Sequence, residues 1–216
     1  MGVGFQALEG TRTLYPTLLD QMVSQGLINS RAFSLYLNDL EAETGHILFG
    51  GVDTKKFTGL LSTLPINRDI TNKASQFLIS LTGLSISPPN GTTFELESSN
   101  HYPLNILLDS GTTFCLLPPS ILNALARAVD AIYDPGFEKY VLDCSTRSVK
   151  GTINFFFSGV KISVPYDQFF VREILPNGAE ICVLAAQRSS SYFILGDSFL
   201  RSAYVVYDLV HTPYSF

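Results

Sequence analysis

An apolar run that ends in a charged side chain is the feature that most constrains the fold of this sequence. Residues 105–113 read Asn-Ile-Leu-Leu-Asp-Ser-Gly-Thr-Thr, so aliphatic residues lead directly into Asp109. This pattern predicts a buried strand, and a carboxylate at its end needs hydrogen-bond donors to stay ionised. Ser110 and Thr112 carry hydroxyls, and Gly111 permits a tight turn. An aspartate held in this way can act as an acid or a base, although Asp-Ser-Gly alone is also typical of an ordinary turn.

The composition indicates a single globular unit made mainly of β-structure. The chain has 216 residues, of which 46% are hydrophobic, and this is enough to bury a sizeable core. Charged residues make up only 15%, while phenylalanine and tyrosine are plentiful, as is typical of chains rich in strands. With a net charge of -5 and no basic patch, the sequence predicts no nucleic-acid partner. Its longest apolar runs are too short to cross a bilayer, so no membrane span is expected.

Hydrophobic periodicity predicts many short strands and two short helices. The first helix is expected over residues 14–26, and the second over residues 119–132, where Pro119 suits the first helical turn. Both stretches place apolar residues at helical spacing. Strands are expected over residues 33–37, 47–51, 57–66, 77–87 with an interruption at Gly83, 151–157, 160–165, 181–186, 192–195 and 203–209. The expected fold class is therefore all-β with two short helices.

Three cysteines leave at least one thiol unpaired. Cys144 and Cys182 flank a region of predicted strands, whereas Cys115 follows the Asp-Ser-Gly turn in an apolar setting. A bridge between Cys144 and Cys182 is the natural pairing and would imply an oxidising compartment. Three reduced, buried cysteines are the alternative. Asn90 begins an Asn-Gly-Thr acceptor for N-glycosylation, which agrees with secretion, although Asn-Gly is also a common hairpin turn.

Several stretches, taken in order, resemble the second half of a pepsin-like aspartic protease. Residues 108–113 read Leu-Asp-Ser-Gly-Thr-Thr, and residues 194–201 read Ile-Leu-Gly-Asp-Ser-Phe-Leu-Arg. Tyr-Asp at residues 207–208 agrees with the same assignment. Similarity to the secreted fungal branch of candidapepsins and yapsins comes from residues 2–5, 45–53 and 57–66. The resemblance extends in order over nearly the whole chain, to about residue 209.

The resemblance implies one lobe of a bilobal, all-β enzyme in which each lobe contributes an Asp-Thr/Ser-Gly loop to a shared site. Asp109 corresponds to the catalytic aspartate of the second lobe. Ser110 corresponds to the residue whose side chain contacts the Asp-Thr/Ser-Gly loop of the other lobe. Gly111 corresponds to a residue that supports the loop of Asp109. Thr112 corresponds to the residue that hydrogen-bonds the outer oxygen of the aspartate. Thr112 and Thr113 are both expected to contact the substrate.

The resemblance also assigns structural roles to residues that are distant along the chain. Leu195 and Gly196 correspond to the hydrophobic-glycine pair that threads beside the catalytic loop in this family. Cys144 and Cys182 correspond to the disulfide of the second lobe. These assignments predict that two separate segments of the chain meet behind Asp109.

The expected function is hydrolysis of peptide bonds at acid pH by an aspartic endopeptidase. In such enzymes two close aspartates share one proton, so that one activates a water while the other protonates the scissile carbonyl. This sequence contains Asp109 but no second Asp-Thr/Ser-Gly after an apolar strand. By resemblance, residues 1–58 form the end of the first lobe and the interlobe region, and residues 59–216 form the C-terminal catalytic lobe. The chain alone is therefore expected to be inactive, and its partner is either the missing first lobe or a second copy.

Peptides or proteins are the expected substrates, and the resemblance implies no cofactor. His46, His101 and His211 are scattered along the sequence, so no metal site is expected. Residues 1–10 contain neither the basic nor the apolar region of a secretory signal. The resemblance nevertheless implies a secreted, extracellular or vacuolar protein.

Two alternative functions fit parts of the same sequence. The first is a catalytically inactive, pepsin-like module that binds peptides or other partners. The second is a GDSL esterase, because residues 196–200 read Gly-Asp-Ser-Phe-Leu and residues 208–211 read Asp-Leu-Val-His. In that esterase family the two segments lie far apart along the chain, whereas here they are almost adjacent. The intact Asp-Ser-Gly-Thr loop favours the protease over both alternatives.

Overall fold

The computed structural model describes residues 2–8, 14–69, 71–89, 91–96 and 102–210. Within these ranges the chain is mostly β, which confirms the expected fold class. The strands are β1 (Ala32–Tyr36), β2 (His46–Phe49), β3 (Leu78–Ser87), β4 (Phe94–Glu95), β5 (Leu104–Leu108), β6 (Cys115–Leu117), β7 (Ile132–Asp134), β8 (Lys139–Leu142), β9 (Thr152–Phe157), β10 (Val160–Pro165), β11 (Phe170–Ile174), β12 (Glu180–Leu184), β13 (Ala186–Arg188), β14 (Ile194–Leu195) and β15 (Val205–Asp208). The helices are α1 (Leu18–Ser24), α2 (Pro119–Ala128), α3 (Tyr166–Phe169) and α4 (Asp197–Leu200), with 3-10 turns over Gln6–Leu8 and Cys144–Ser148.

An eight-stranded sheet forms the centre of the molecule. Its strands run in the order β10-β9-β3-β5-β14-β6-β13, and β4 pairs with β3. β14 lies between β5 and β6, parallel to the first and antiparallel to the second. β5 and β6 precede β14 by more than 70 residues along the chain. The sheet is therefore complete only when these distant segments meet.

The long strand β3 contains the interruption that the sequence predicts at Gly83. The strand continues through this position, but its register with β9 shifts between Leu81 and Gly83. The interruption is therefore a β-bulge within one strand rather than a break between two strands.

The main core lies between this sheet and α2, which packs on β13. The predicted apolar face of this helix is buried at Ile121, Leu122, Leu125 and Val129. The prediction is wrong for Ile132, which is 76% exposed because the helix ends at Ala128 and Ile132 begins β7. The aromatic rings of Phe155 and Phe199 pack edge to face beneath the sheet, with centroids 4.9 Å apart. Full burial of a leucine or phenylalanine side chain stabilises a fold by about 1.5–3 kcal/mol, so this layer supplies much of the hydrophobic stabilisation.

A second sheet of four strands, in the order β11-β12-β8-β7, carries the disulfide. Cys144, in a 3-10 turn, is bonded to Cys182 on β12. Cys115 is a free and buried cysteine on β6. The structure thus contains the cysteine pairing that the resemblance implies.

A third sheet joins the beginning of the described chain to its end, in the strand order β15-β1-β2. Leu19 of α1, Phe33 of β1 and Tyr207 of β15 form a small buried cluster beneath it. Strands from both sides of residue 58 therefore share one sheet, and the division into residues 1–58 and 59–216 stays a prediction.

The prediction of a strand over residues 57–66 is wrong, since this segment is irregular. Gly59 adopts a φ of 81°, a left-handed conformation that interrupts an extended chain. Leu60, which the apolar pattern would bury, has 96% of its surface exposed.

The prediction of only two helices is also incomplete. The four-residue helices α3 and α4 are too short to show a helical period in the sequence. The predicted helices exist but are shorter than expected. Thr17 caps α1, which then begins at Leu18. Asp130, with a φ of 54°, follows the end of α2. Among the described residues, no helix is long and apolar enough to span a membrane.

Candidate active site

The backbone around Asp109 is held from two sides. β5 ends at Leu108, whose N–H donates to the carbonyl of Phe77 over 3.1 Å. The N–H of Asp109 itself donates to the carbonyl of Leu195 over 3.1 Å. Because β5 lies between β3 and β14, the backbone of Asp109 leaves the sheet at a fixed position.

Each oxygen of the Asp109 carboxylate accepts a hydrogen bond from its own loop. The N–H of Gly111 donates to Oδ1 over 2.9 Å, and the hydroxyl of Thr112 donates to Oδ2 over 2.7 Å. The two donors fix the orientation of the carboxylate within the loop. Ser110 and Thr113 are exposed on the same loop.

A second segment of chain threads behind this loop at Gly196. A Cβ atom at this position would lie 2.2 Å from the carbonyl oxygen of Thr112 and 2.8 Å from that of Phe114. Only glycine therefore allows the two backbones to approach so closely. The N–H of Asp197 then donates to the carbonyl of Thr112 over 2.9 Å, and that of Ser198 to the carbonyl of Thr113 over 3.1 Å. The Leu195-Gly196 pair thus braces the Asp109 loop from behind.

Asp197 brings a second carboxyl close to Asp109. Burial raises the pKa of this carboxyl, the charge of Arg201 lowers it, and the charge of Asp109 raises it further. Tyr207 is also electrostatically coupled to the site. Burial raises the pKa of its phenol above the usual range, and the charges of Asp109 and Asp197 add to this effect. Sequence reasoning missed these two residues because only the folded chain brings them near Asp109.

Two cavities lie next to the loop. One, of about 420 Å³, is lined mostly by residues just before Asp109 and Gly196 on their strands, among them Leu107 and Ile194. The other, of about 220 Å³, is lined by Thr112, Thr113, Phe114, Leu116 and Gln187. The smaller cavity therefore borders the Asp109 loop itself, and the larger one borders the segments that lead into Asp109 and Gly196.

Residues 1–216 match the family described as eukaryotic aspartyl protease. The chain belongs to this family. It is 39% identical over 224 residues to a probable aspartic-type endopeptidase opsB of Aspergillus fumigatus, covering 100% of this chain and 46% of that protein. It is 38% identical over 215 residues to Candidapepsin-4 of Candida albicans, covering 97% of this chain and 47% of that protein. The aspartyl protease chain thus spans about half the length of these curated relatives.

A solved structure shows the same fold. The aspartic proteinase from Irpex lacteus superposes with a TM-score of 0.72 at 22% sequence identity, and the match covers 93% of this chain and 60% of that one. The architecture of this aspartyl protease chain is therefore that of a pepsin-like proteinase, consistent with a lobe of the bilobal fold.

The geometry of Ser198 argues against the esterase alternative for this aspartyl protease chain. Its side chain is only 2% exposed, and its hydroxyl donates to the carbonyl of Ala185 over 2.9 Å. A nucleophile needs access to its substrate and a neighbouring base. His211, the base in that alternative, lies outside the described residues.

The remaining candidate residues lie away from the Asp109 loop or outside the described part of the chain. Cys182 lies on β12 of the four-stranded sheet, and Cys144 lies in the 3-10 turn to which that strand is bridged. Asn90, the candidate glycosylation site, and His101 are not among the described residues. Across the residues that are described, no group of three or more histidine, cysteine or acidic side chains could hold a metal ion.

Proposed function

We propose that this chain is the C-terminal part of an aspartic endopeptidase and that Asp109 is the second aspartate of its catalytic pair. The observation that carries the proposal is the Asp109 loop itself, where each carboxylate oxygen accepts a hydrogen bond and Gly196 packs against the loop from behind. Relatives that match nearly the whole chain are named aspartic-type endopeptidases or candidapepsins, which supports the same chemistry.

The proposed reaction needs two carboxyl groups that share one proton. Like charges so close together cannot both ionise, so one carboxyl keeps its proton while the other acts as a base. The base removes a proton from water, which attacks the scissile carbonyl, and the protonated carboxyl donates its proton to the carbonyl oxygen, giving a tetrahedral diol. The carboxyl that took the proton from water then passes it to the amide nitrogen, the C–N bond breaks, and a hydroxyl of the diol returns its proton to the other carboxylate as the product acid forms. In this chain the N–H of Gly111 and the hydroxyl of Thr112 would stabilise the charge that Asp109 carries during the cycle.

The substrate in this proposal is an extended peptide that crosses the Asp109 loop. The exposed Thr113 and the cavity beside it would contact the peptide on one side, and the larger cavity would accept a side chain on the other. A secreted or vacuolar location fits the disulfide, because such bonds persist in oxidising compartments. It also fits a relative named Secreted aspartic protease 4, of Candida albicans.

The test is to combine this chain with a matching first lobe and to measure cleavage of unfolded protein at acid pH. Replacing Asp109 by Asn should reduce the rate by at least about 100-fold, because general acid–base catalysis supplies that much or more. Asp134→Asn is the matched control, since Asp134 also accepts hydrogen bonds from its own turn but lies on β7, outside the site.

Cleavage that survives Asp109→Asn would reject the assignment of the catalytic residue. An assembly that binds peptide at acid pH without cleaving it would instead support an inactive peptide-binding module.

A further inference from the structure

Two buried polar atoms beside the Asp109 loop have no hydrogen-bond partner within the described part of the chain. They are the phenol oxygen of Tyr207 and Oδ1 of Asp197. The two groups are complementary, because a phenol donates a hydrogen bond and a carboxylate accepts one. A buried polar group without a partner destabilises a fold, so two of them next to one functional loop call for an explanation.

The ring of Tyr207 is held in a fixed position. It stacks on Phe33, with centroids 4.7 Å apart and ring planes 10° from parallel. It also meets the edge of Phe77 at 4.7 Å, and only 4% of the residue is exposed. The carbonyl of Phe77 accepts the N–H of Leu108, the residue before Asp109. A short series of contacts therefore fixes the phenol relative to the Asp109 loop, while its hydrogen can still rotate.

The charged groups around this phenol are the carboxyls of Asp109, at the end of β5, and Asp197, at the start of α4. The charge of Arg201, which caps the end of α4, lowers the pKa of the Asp197 carboxyl. From β1 and α1 the cluster around Tyr207 receives the apolar side chains of Phe33 and Leu19. Because burial and both carboxylates raise the pKa of the phenol, Tyr207 keeps its proton at every pH at which the carboxyls titrate.

We propose that Tyr207 is a positioning residue whose buried hydroxyl dipole stabilises the ionised carboxyls beside the Asp109 loop, that of Asp197 in particular. A hydroxyl that is committed to no other acceptor can turn its hydrogen toward negative charge, and in a buried site such a dipole acts strongly. Asp197 then carries its charge at a lower pH than burial alone would allow. The consequence for catalysis rests on the proposed function of Asp109, whereas the electrostatic effect does not.

The first test is an NMR titration of the carboxyl carbons in the full chain labelled with ¹³C-aspartate. Asp197→Asn identifies the signal of Asp197. Replacing Tyr207 by Phe removes only the hydroxyl, and we expect the pKa of Asp197 to rise by about 0.5 pH unit or more, because the ionised carboxylate loses the nearby dipole that stabilises it. Tyr166→Phe is the control, since Tyr166 is equally buried and burial alone raises the pKa of its phenol.

The second test keeps both the ring and the hydroxyl, so it serves even where Tyr207→Phe does not fold. Placing 3-fluorotyrosine at position 207 makes the phenol a stronger donor, and the pKa of Asp197 should fall. A structural role of the ring would not produce opposite shifts in the two variants. An unchanged titration of Asp197 in the fluorinated chain, or a shift in Tyr166→Phe as large as in Tyr207→Phe, would overturn the proposal. Because neither measurement uses peptide cleavage, their failure is distinct from failure of the proposed function.

Discussion

At the scale of single residues, the sequence predicts the loop well and its surroundings poorly. Asp109, Gly111 and Thr112 are adjacent along the chain, so their hydrogen bonds follow from local turn chemistry. Asp197 and Tyr207 come close to Asp109 only through the pairing of β14 with β5 and the packing of β15. No local pattern encodes such contacts, and the family resemblance assigned a role to Leu195 and Gly196 but none to Asp197 or Tyr207, although both lie within its motifs.

Gly196 gives the most direct prediction at this scale. Gly196→Ala would place a methyl group against the carbonyl oxygens of Thr112 and Phe114, and backbone cannot move aside as a flexible side chain can. We expect a loss of at least about 2 kcal/mol of unfolding free energy, in the range of overpacked positions. Urea unfolding measures this loss. Gly4→Ala is the control, because a Cβ atom there meets nothing within 4 Å. Equal stability of the two variants would contradict the threaded geometry.

At the scale of secondary structure, length decides what the sequence reveals. The ten residues of α2 show a clear apolar face, and that helix is predicted. The two residues of β14 and the four of α4 carry no period of their own. Their structure comes from hydrogen bonds to β5, β6 and the Asp109 loop, which are distant in sequence. The apolar run at residues 57–66 shows the converse, since a strand-like pattern forms no strand there.

The capping box of α1 gives a prediction with a defined dependence on pH. Burial raises the pKa of Asp20, but hydrogen bonds from the backbone and hydroxyl of Thr17, together with Arg31, bring it below its ordinary value of 3.8. A pKa that is lowered by folding stabilises the folded chain fully at pH values above the ordinary, unfolded pKa of 3.8. This stabilisation is lost as the pH falls through the lower pKa of the folded state. Asp20→Asn should therefore cost about 0.5–1 kcal/mol at neutral pH, as loss of a cap does.

Thermal unfolding of Asp20→Asn and the unmutated chain at several pH values checks this prediction. The difference in stability between the two proteins should shrink as the pH falls well below 4, because Asp20 is then protonated and uncharged, as asparagine is at every pH. Asp39→Asn serves as the exposed control. A difference that stayed constant down to pH 2 would contradict the role assigned to the Asp20 charge.

At the scale of the whole molecule, the chain exposes apolar surface on one strand at the edge of the third sheet. All four residues of β2 are exposed or half-buried, and β2 pairs only with β1 in the described structure. Exposed aliphatic side chains on β2 or in the segment that follows it along the chain are Ile47, Leu48, Val52, Leu60 and Leu61. Such edges and patches favour association. A chain that spans about half of its relatives is expected to cover this surface with the other half, or with a second copy.

We therefore expect the isolated chain to self-associate at micromolar concentration, as measured by sedimentation. Leu48→Lys should shift the equilibrium toward the monomer, since it places a charge on the edge strand. Ile174→Lys is the control, because Ile174 is an exposed aliphatic residue on β11, an edge strand of the separate four-stranded sheet. A stable monomer of the unmutated chain, or equal effects of the two substitutions, would contradict the prediction.

The central claim is that this chain supplies one carboxyl of a two-carboxyl site. Active-site titration with a tight-binding statine-type peptide at acid pH tests it most directly, because it counts complete sites per chain. We predict no cleavage and no inhibitor binding for the chain alone, and one inhibitor bound per chain when a matching first lobe is added. Cleavage by the chain alone with one inhibitor bound per chain would contradict the claim.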